Sequence, residues 1–467
     1  MDANHPGASP TRHLFAAYLA LLVLAPIPLG SNRPWAWALL ELWVFILAIG
    51  WLFGYMRGKH HGNAVFNKSW PALACGALWL GYVWFQLVPL PLDLLSRLSP
   101  EAARWHGFAA GPAGLDAAPL TLDRHGTLQG ALKSTAYLAF FGLSLLLLNR
   151  RERVTAAAFT LVVSGFAQAM FGGLSALAGS FGESAHGSFV NRNHYAAYLV
   201  MCLSVGIGVL IANLTGAVSR TWKQFFRNLI ALVLSPRMLL RLSLVVMVTA
   251  LVLTRSRMGN SSFFLSLLAA GAIGLALSKR ATRSMVILIA SLIVIDIFIV
   301  GTYFGVERVL ERVEQTRMET EDRDEIASYT LNLWRDYPVF GAGLGSFHAV
   351  VPRYWGEIPG GPYTHAHNDY LQFAGEVGVI GVTLLGAMLL MSLLAALRAQ
   401  QVRTDPLMRG ISFGSIMGII ALMIHSAVDF SLQVPAIALT FMLILALAWI
   451  SLHHDRAGTL AELSADP

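Results

Sequence analysis

The feature that most constrains this chain is a series of about twelve apolar blocks, each roughly 20 residues long. A helix of about 20 apolar residues crosses the hydrocarbon core of a bilayer, which is roughly 30 Å thick. Only 13% of the 467 residues are charged, whereas a soluble globular chain carries roughly a quarter. The pattern predicts an all-α, polytopic membrane protein with about twelve transmembrane helices. The blocks cover approximately 14–30, 35–54, 70–90, 131–149, 154–178, 193–213, 240–254, 258–278, 284–304, 373–397, 410–428 and 433–452.

The basic residues between the blocks predict how the chain is oriented. They concentrate in five loops, and all five fall on one side of the membrane if every block crosses once. Cytoplasmic loops carry an excess of Lys and Arg, so we expect these loops and both termini in the cytoplasm. The residues are Arg57, Lys59 and Lys68; Arg150, Arg151 and Arg153; Arg220, Lys223, Arg227, Arg237 and Arg241; Lys279, Arg280 and Arg283; and Arg398, Arg403 and Arg409.

We interpret the net charge of +7 as the result of the same positive-inside bias, which also suits contact with anionic lipid headgroups. No nucleic-acid-binding module is recognised, so no nucleic-acid partner is expected. The two cysteines, Cys75 and Cys202, lie inside apolar blocks and are interpreted as small buried hydrophobes. The first block lacks a small-x-small cleavage site and is interpreted as a retained helix.

Two long loops lie on the opposite, outer side, at about 91–130 and about 305–372. We divide the chain into four parts on this basis. Residues 1–184 hold the first five helices, and 185–304 hold helices six to nine with arginines at their outer ends. Residues 305–372 form the large outer loop, and 373–467 hold the last three helices and a short cytoplasmic tail.

The large outer loop contains a charged run and then a glycine-rich turn. We interpret the run 307–325 as a solvated helix with i,i+4 pairs, followed by an amphipathic helix at 329–337. The sequence Gly-Ala-Gly-Leu-Gly follows at residues 341–345, which we call the glycine loop. A phosphate-binding loop needs a following Lys-Ser/Thr and a preceding strand, and both are missing from the sequence pattern. We therefore interpret it as a tight turn, whose backbone amides could still meet an anion.

The strongest local signal is Thr-His-Ala-His-Asn-Asp-Tyr-Leu at 364–371, where the outer loop enters a span. A metal site is disfavoured because His365 and His367, spaced i,i+2, do not share one helix face and lack an HExxH-type partner. A neutral imidazole can take a proton from a hydroxyl near pH 7, which favours a general base. A purely structural polar cap of the helix is the alternative.

Arginines mark two other outer helix ends. Arg192 lies in the segment 187–195 that opens the sixth span, and Arg255 and Arg257 join the seventh span to the eighth. A charge at the membrane boundary is costly and needs a partner. These side chains either snorkel to headgroups or clamp a phosphate, since guanidinium makes bidentate contacts and stays charged. Arginines that bind a phosphate, together with a histidine base on the same side of the membrane, would suit a lipid-linked, phosphorylated substrate.

Four motifs in this order resemble those of the O-antigen ligase/polymerase superfamily of bacterial envelopes. His367-Asn368, nine residues, and then Gly378-Val-Ile-Gly381 are similar to its His-Asn-x9-Gly-x-x-Gly pattern. The resemblance covers roughly residues 185–430. After Gly381 the chain reads Val-Thr rather than the Thr-Val of the ligase form. The other three motifs are the glycine loop with Ser346-Phe347, Ser256-Arg257, and the segment 187–193.

The resemblance implies an inverting, metal-independent glycosyltransferase of the membrane-embedded GT-C type, without a cofactor, in the bacterial inner membrane. Its donor would be an undecaprenyl-pyrophosphate-linked saccharide, its acceptor a glycan or lipid, and its active site periplasmic. A chain-length regulator and a flippase would be partner proteins. By match of position, His367 would be the general base, and Arg192 and Arg257 would hold the pyrophosphate and stabilise the leaving group. The second-rank candidates are His365, Asn368, Asp369 and Arg255.

Several functions stay open at this stage. A polymerase, which we favour, joins lipid-linked repeat units of O-antigen or exopolysaccharide, whereas a ligase moves a finished glycan onto lipid A core. A lipid-linked glycan transporter predicts charged or broken helices near mid-bilayer and duplicated halves. Only Glu41, Asp296 and His425 are conspicuous ionisable residues within the predicted spans. A structural assembly partner would be indifferent to the loss of the arginines and the histidine.

Overall fold

The computed structural model describes residues 10–179, 184–213, 236–277, 324–355 and 363–454. Helices dominate these residues. In chain order they are α1 (Pro10–Leu24), α2 (Pro34–Met56), α3 (Ala64–Lys68), α4 (Trp70–Phe85), α5 (Leu92–Leu98), α6 (Pro100–Ala110), α7 (Arg124–Leu147), α8 (Arg151–Leu177), α9 (Arg192–Ala212), α10 (Pro236–Leu253), α11 (Arg257–Leu277), α12 (324–336), α13 (Phe347–Val350), α14 (Asp369–Val402), α15 (Pro406–Ser426) and α16 (Pro435–His453).

The helices agree with the predicted apolar blocks. Eleven of the twelve blocks coincide with a helix, and the block at 284–304 lies outside the described residues. Among the described residues, eight helices are long and apolar enough to cross a membrane, and α1, α4 and α10 are apolar but shorter. The all-α, multi-pass membrane class is therefore confirmed, and the number twelve stays a prediction. Residues 307–323 of the charged run lie outside the described residues. The amphipathic helix predicted at 329–337 coincides with the second half of α12, which ends at residue 336.

The centre of the bundle is formed by α9, α15 and α16, whose side chains are almost all buried. α9 and α15 approach so closely that a Cβ added at Gly208 would lie 2.3 Å from the carbonyl oxygen of Gly410. Small residues allow such backbone approach, which maximises packing where lipid supplies no hydrophobic drive for helix association. α2 and α8 instead expose much of their apolar surface.

The two predicted outer loops fold together into one layer at one end of the bundle. We call this the loop layer; it comprises the described parts of 90–123 and 324–366. Its own hydrophobic core includes Leu95 and Leu120 from the first loop and Leu333 from α12. A short antiparallel ribbon pairs β1 (Leu90–Pro91) with β2 (Ala117–Ala118). The loop layer therefore shapes the end of the bundle at which α7 and α14 begin.

The long helix α14 is broken near its start, and the glycine loop fills the break. Gly378 has φ 61° and ψ −170°, a conformation that only glycine adopts readily. The interruption frees backbone carbonyls that must find partners away from water. The amides of Ala342 and Gly343 donate to the carbonyls of Gly375 and Glu376 at 2.9 and 2.8 Å. The glycine loop thus supplies the donors that the carbonyls just before the break have lost.

We expect Gly378→Ala to lower stability by about 2 kcal/mol or more, because its backbone conformation is strained for any L side chain. The new Cβ would also lie 2.2 Å from the carbonyl oxygen of Val339. Thermal unfolding of the purified protein measures the loss. Gly386→Ala is the control on the same helix, since nothing lies within 4 Å of a Cβ added there. Equal unfolding temperatures for the two variants would contradict this explanation of the break.

Candidate functional site

Caps at the starts of three helices place the predicted site residues. The side chains of Asn191 and Asn368 accept hydrogen bonds from the amides of Asn193 and Leu371, at 2.8 and 3.1 Å, and so begin α9 and α14. Such caps satisfy first-turn amides that have no partner within the helix. Asn368 therefore has a structural role as the cap, while His367 lies just outside the helix.

Ser256 begins α11 in the same way, because its hydroxyl accepts from the amide of Gly259 at 3.1 Å. Arg257 is then the first residue of α11 and is exposed, as is Arg192, the first residue of α9. The two helix starts are adjacent, since a Cβ added at Gly259 would lie 2.5 Å from that of Ala196 in α9. Arg255 is half-buried and has φ 54°. The arginine motifs thus mark neighbouring helix ends.

Three histidines surround the ring of Phe430, and we call them the histidine cluster. His365 stacks on the ring, with centroids 4.1 Å apart and planes at 15°. His194 and His367 meet it edge-on, at 4.5 and 4.9 Å. The cluster joins residues from the starts of α9 and α14 to the loop that follows α15.

A buried carboxylate, Asp429, faces two members of the cluster and is only 1% exposed. Its Oδ1 lies 3.5 Å from Nδ1 of His367 and 3.7 Å from Nε2 of His194. Burial alone would raise the pKa of Asp429, but its contacts with the two imidazoles outweigh burial and hold that pKa well below its usual range. Asp429 is therefore an anion at neutral pH.

The side chain of His367 is buried at one ring nitrogen and partly exposed elsewhere. Its Nδ1 is buried against Asp429, whereas 32% of the side chain is exposed. A carboxylate beside Nδ1 favours the tautomer that carries hydrogen there, which leaves the Nε2 lone pair as a proton acceptor. The backbone is left-handed, with φ 50°, which is uncommon for a residue other than glycine. The fold thus holds this imidazole in a defined orientation.

His365 is fixed differently. Burial lowers its pKa to about 4, so it is neutral at pH 7. Its Nδ1 lies 3.3 Å from Nε2 of Gln372, which also donates to Glu376 at 3.1 Å. The fully buried carboxylate of Glu376 in turn accepts from the amides of Gly345 and Phe347, at 2.9 and 3.3 Å. A continuous polar chain thus connects His365 to the glycine loop.

The glycine loop has no free amide to offer to a bound anion. All five amides from Gly341 to Gly345 donate within the protein, to backbone carbonyls, to Gln86 and to Glu376. The interpretation as a tight turn is confirmed, and the expectation that its amides could bind an anionic ligand is wrong, since all five are used within the protein. The reason is the broken helix beside it, whose carbonyls and carboxylate use these donors.

Asp369 is the first residue of α14 and is 1% exposed. Its Oδ2 accepts from the hydroxyl of Ser426 at 2.8 Å and from the amide of Leu432 at 3.0 Å. Its Oδ1 has no hydrogen-bond partner among the residues that the structure describes. Asp369 also lines a large space between the helices.

That space is a cavity of about 570 Å³ between α2, α4, α7, α14, α15 and α16, beneath the glycine loop. His365, Asp369 and Glu376 line it, together with Lys133 of α7. His367 is not among its lining residues. The histidine cluster therefore borders the cavity on its His365 side.

Three contributors to the site were missed by reasoning from the sequence: Asp429, Phe430 and His194. Two signals could have found them. An aspartate in a very short loop between two apolar helices is costly without a partner. His194 follows Arg192 within the motif at 187–195, and its i,i+2 spacing repeats that of His365 and His367.

The fold and the site together define a multi-pass, all-helical membrane protein with a histidine–carboxylate cluster where several helices end. The profile of a known family, described as O-antigen ligase, matches residues 242–386. This match confirms the resemblance to the O-antigen ligase/polymerase superfamily. The matched segment includes Arg257, the glycine loop and His367, whereas Arg192 and Asp429 lie outside it. A search of curated proteins finds no match to the chain.

We expect Asp429→Asn to lower the free energy of unfolding by about 2 kcal/mol, because the buried His194 and the partly exposed His367 lose the anion they face. An acid with a depressed pKa contributes stability above its unfolded pKa of about 4 and loses it as pH falls through the folded value. Unfolding at pH 8, 6 and 5 should therefore show an undiminished difference. Asp116→Asn, in an exposed part of the loop layer, is the control. A difference that vanishes by pH 6 would contradict the assignment.

Proposed function

We propose that this chain is an inverting, metal-independent glycosyltransferase that polymerises undecaprenyl-pyrophosphate-linked repeat units at the periplasmic face of the inner membrane. The observation that carries the proposal is His367. It is a partly exposed imidazole whose Nδ1 is buried against a carboxylate, in the motif shared with the superfamily. The arginine-bearing starts of α9 and α11 supply the second element.

The proposed role of His367 is to take a proton from the acceptor hydroxyl. The Asp429 carboxylate holds the N–H at Nδ1, so Nε2 accepts the hydroxyl proton. The carboxylate then stabilises the imidazolium that forms, without itself taking the proton. His194, 3.7 Å from the same oxygen, helps to keep Asp429 ionised and in place.

The proposed role of Arg192 and Arg257 is to bind the pyrophosphate of the donor. As the acceptor oxygen bonds to the anomeric carbon, the bond from that carbon to the pyrophosphate oxygen breaks. Negative charge then grows on the leaving group, where the two guanidinium groups stabilise it. Attack opposite the leaving group inverts the anomeric centre.

A polymerase and a ligase would share this chemistry and differ in the acceptor. An assay with lipid-linked repeat unit, with and without lipid A core, separates them. Longer chains on undecaprenyl pyrophosphate in the absence of core support the polymerase. Transfer that occurs only when lipid A core is present would support the ligase instead. The departure from the ligase pattern after Gly381 is the observation that favours the polymerase.

We expect His367→Ala to reduce turnover by at least about 100-fold while donor binding is retained, because only the proton acceptor is removed. Product formation and donor affinity are measured separately on purified protein in lipid. His61→Ala, an exposed histidine in the basic loop after α2, is the matched control. A His367→Ala protein that elongates glycan normally would favour a transporter over an enzyme.

We expect Arg257→Lys to lower kcat/KM by roughly tenfold or more, because an ammonium group cannot reproduce the two parallel contacts of a guanidinium. The charge is kept, so a purely electrostatic or snorkelling role would leave activity intact. Arg398→Lys, exposed near the other end of α14, controls for the loss of an arginine. Full activity of Arg257→Lys would show that the mechanism does not need a bidentate contact of Arg257 with the pyrophosphate.

A further inference from the structure

Four consecutive residues at 337–340, which we call the entry segment, lead from α12 into the glycine loop. Every carbonyl group of this segment accepts a hydrogen bond from within the protein. The carbonyls of Pro338 and Val339 accept from the first two amides after the break in α14, at 2.9 and 3.3 Å. The first carbonyl accepts from the amide four residues further on, at 3.1 Å. The last accepts from the side chains of Tyr82 and Gln86, at 2.7 and 2.8 Å.

Such bonding is what irregular backbone needs at membrane depth. Water would satisfy these carbonyls if the segment faced solvent, whereas hydrocarbon offers no donor. The exposed side chains of the segment are also suited to lipid, because Pro338 and Val339 are both apolar and Val339 is 42% exposed. Proline has no backbone N–H that would need an acceptor. The entry segment therefore presents bonded carbonyls and apolar side chains at the surface.

The length of α14 places the entry segment at the edge of the hydrocarbon core. From Gly378 to Arg398, the basic residue near the other end of the helix, α14 rises about 30 Å at 1.5 Å per residue. This equals the thickness of the core, which is roughly 30 Å. The amide of Val379 donates to the carbonyl of Pro338, so the entry segment lies at the same height as the break.

The exposed side chains of the entry segment continue an apolar surface of the bundle. On α14, Val379 is 51% exposed, and Leu390, three helical turns further on, is exposed on the same face. α4 packs beside α14 and exposes Leu78 and Phe85. On helices that cross a membrane, such a surface faces lipid. The apolar surface extends without a charged residue from these two helices to Val339.

Trp334 indicates where this surface meets the headgroups. It is exposed in the last turn of α12, four residues before Pro338, and the charged side chains of Arg335 and Asp336 follow it. An indole ring has an apolar body and one N–H, and it favours the boundary between hydrocarbon and water. α12 therefore ends where an interfacial residue is expected.

We propose that the edge of the loop layer from Trp334 to Val339 is immersed in the lipid leaflet on its side of the membrane and contacts phospholipid acyl chains. The long loop at 305–372 is then not wholly outside the membrane. The bilayer thereby sets the height of the glycine loop, which follows the entry segment directly and binds Glu376. The inference goes beyond the proposed reaction and does not depend on it.

The test attaches a nitroxide spin label to Val339→Cys in the full chain, in phospholipid nanodiscs. The label's collision rates are measured with oxygen, which enters hydrocarbon, and with a polar nickel chelate, which stays in water. Ser328→Cys, exposed on α12, is the water-facing control, and Leu390→Cys is the lipid-facing control. The unaltered protein, whose Cys75 and Cys202 are buried, is the blank.

We expect nickel collisions at Val339→Cys to be about tenfold rarer than at Ser328→Cys, because hydrocarbon excludes polar solutes. Oxygen collisions should be as frequent as at Leu390→Cys. Equal nickel rates at Val339→Cys and Ser328→Cys would place the entry segment in water and overturn the proposal. Rare collisions with both reagents would mean that protein, such as a second copy of the chain, covers this surface, which also overturns it.

Bilayer thickness supplies a second measurement. Lipids with shorter acyl chains thin the hydrocarbon core by a few Å, so water comes closer to a label at its edge. Nickel collisions at Val339→Cys should then rise at least about twofold. They should stay rare at Leu390→Cys, which lies about 16 Å beyond Val379 along α14. An unchanged rate at Val339→Cys would contradict contact with lipid at the edge of the core.

A label at Trp334→Cys keeps the test decisive if Val339→Cys fails to fold. Trp334 is placed at the headgroup boundary, so its nickel rate should be about threefold below that of Ser328→Cys and should also rise in the thinner bilayer. A nickel rate equal to that of Ser328→Cys, unaffected by thickness, would show that this end of α12 stands clear of the membrane.

Discussion

The structure depends on the need to satisfy every peptide group inside a membrane. α14 breaks at Gly378, and the break would strand carbonyls in an apolar setting. The glycine loop supplies the missing donors, and the Glu376 side chain binds the end of that loop. The loop layer is thereby fixed to the bundle, and through Gln372 so is His365. A backbone requirement thus determines where the polar groups of the site lie.

The carboxylate of Asp429 organises the other half of the site. One buried anion between α15 and α16 faces imidazoles from α9 and from the turn before α14. Burying it is costly, and the cost is offset because both imidazoles can direct N–H groups at it. Phe430, the next residue, packs against all three histidines of the cluster. Two consecutive residues therefore position the whole group.

Much of this could be predicted from the sequence, for physical reasons that also explain what could not. Hydropathy locates spans because lipid contact selects apolar residues along a helix, and eleven blocks were found in this way. His367 and Arg257 were found because they belong to contiguous motifs. Asp429 was missed because its partners are more than sixty residues away in the chain, and no local pattern reports such a pairing. The amides of the glycine loop were misjudged because most of their acceptors, at Gln86, Gly375 and Glu376, lie far from the loop in the sequence.

The glycine contact between α9 and α15 also affects the other ends of these two helices, where His194 and Asp429 lie. α9 begins with the turn that carries His194, and α15 ends just before Asp429. Gly208 lies 14 residues along α9 from His194, or about 21 Å at 1.5 Å per residue. Because helices are stiff over such a length, the close approach of α9 and α15 at Gly208 and Gly410 also limits how far apart His194 and Asp429, now 3.7 Å from each other, can lie. Two glycines at the far ends of these helices thus help to keep the carboxylate facing its imidazole at the near ends.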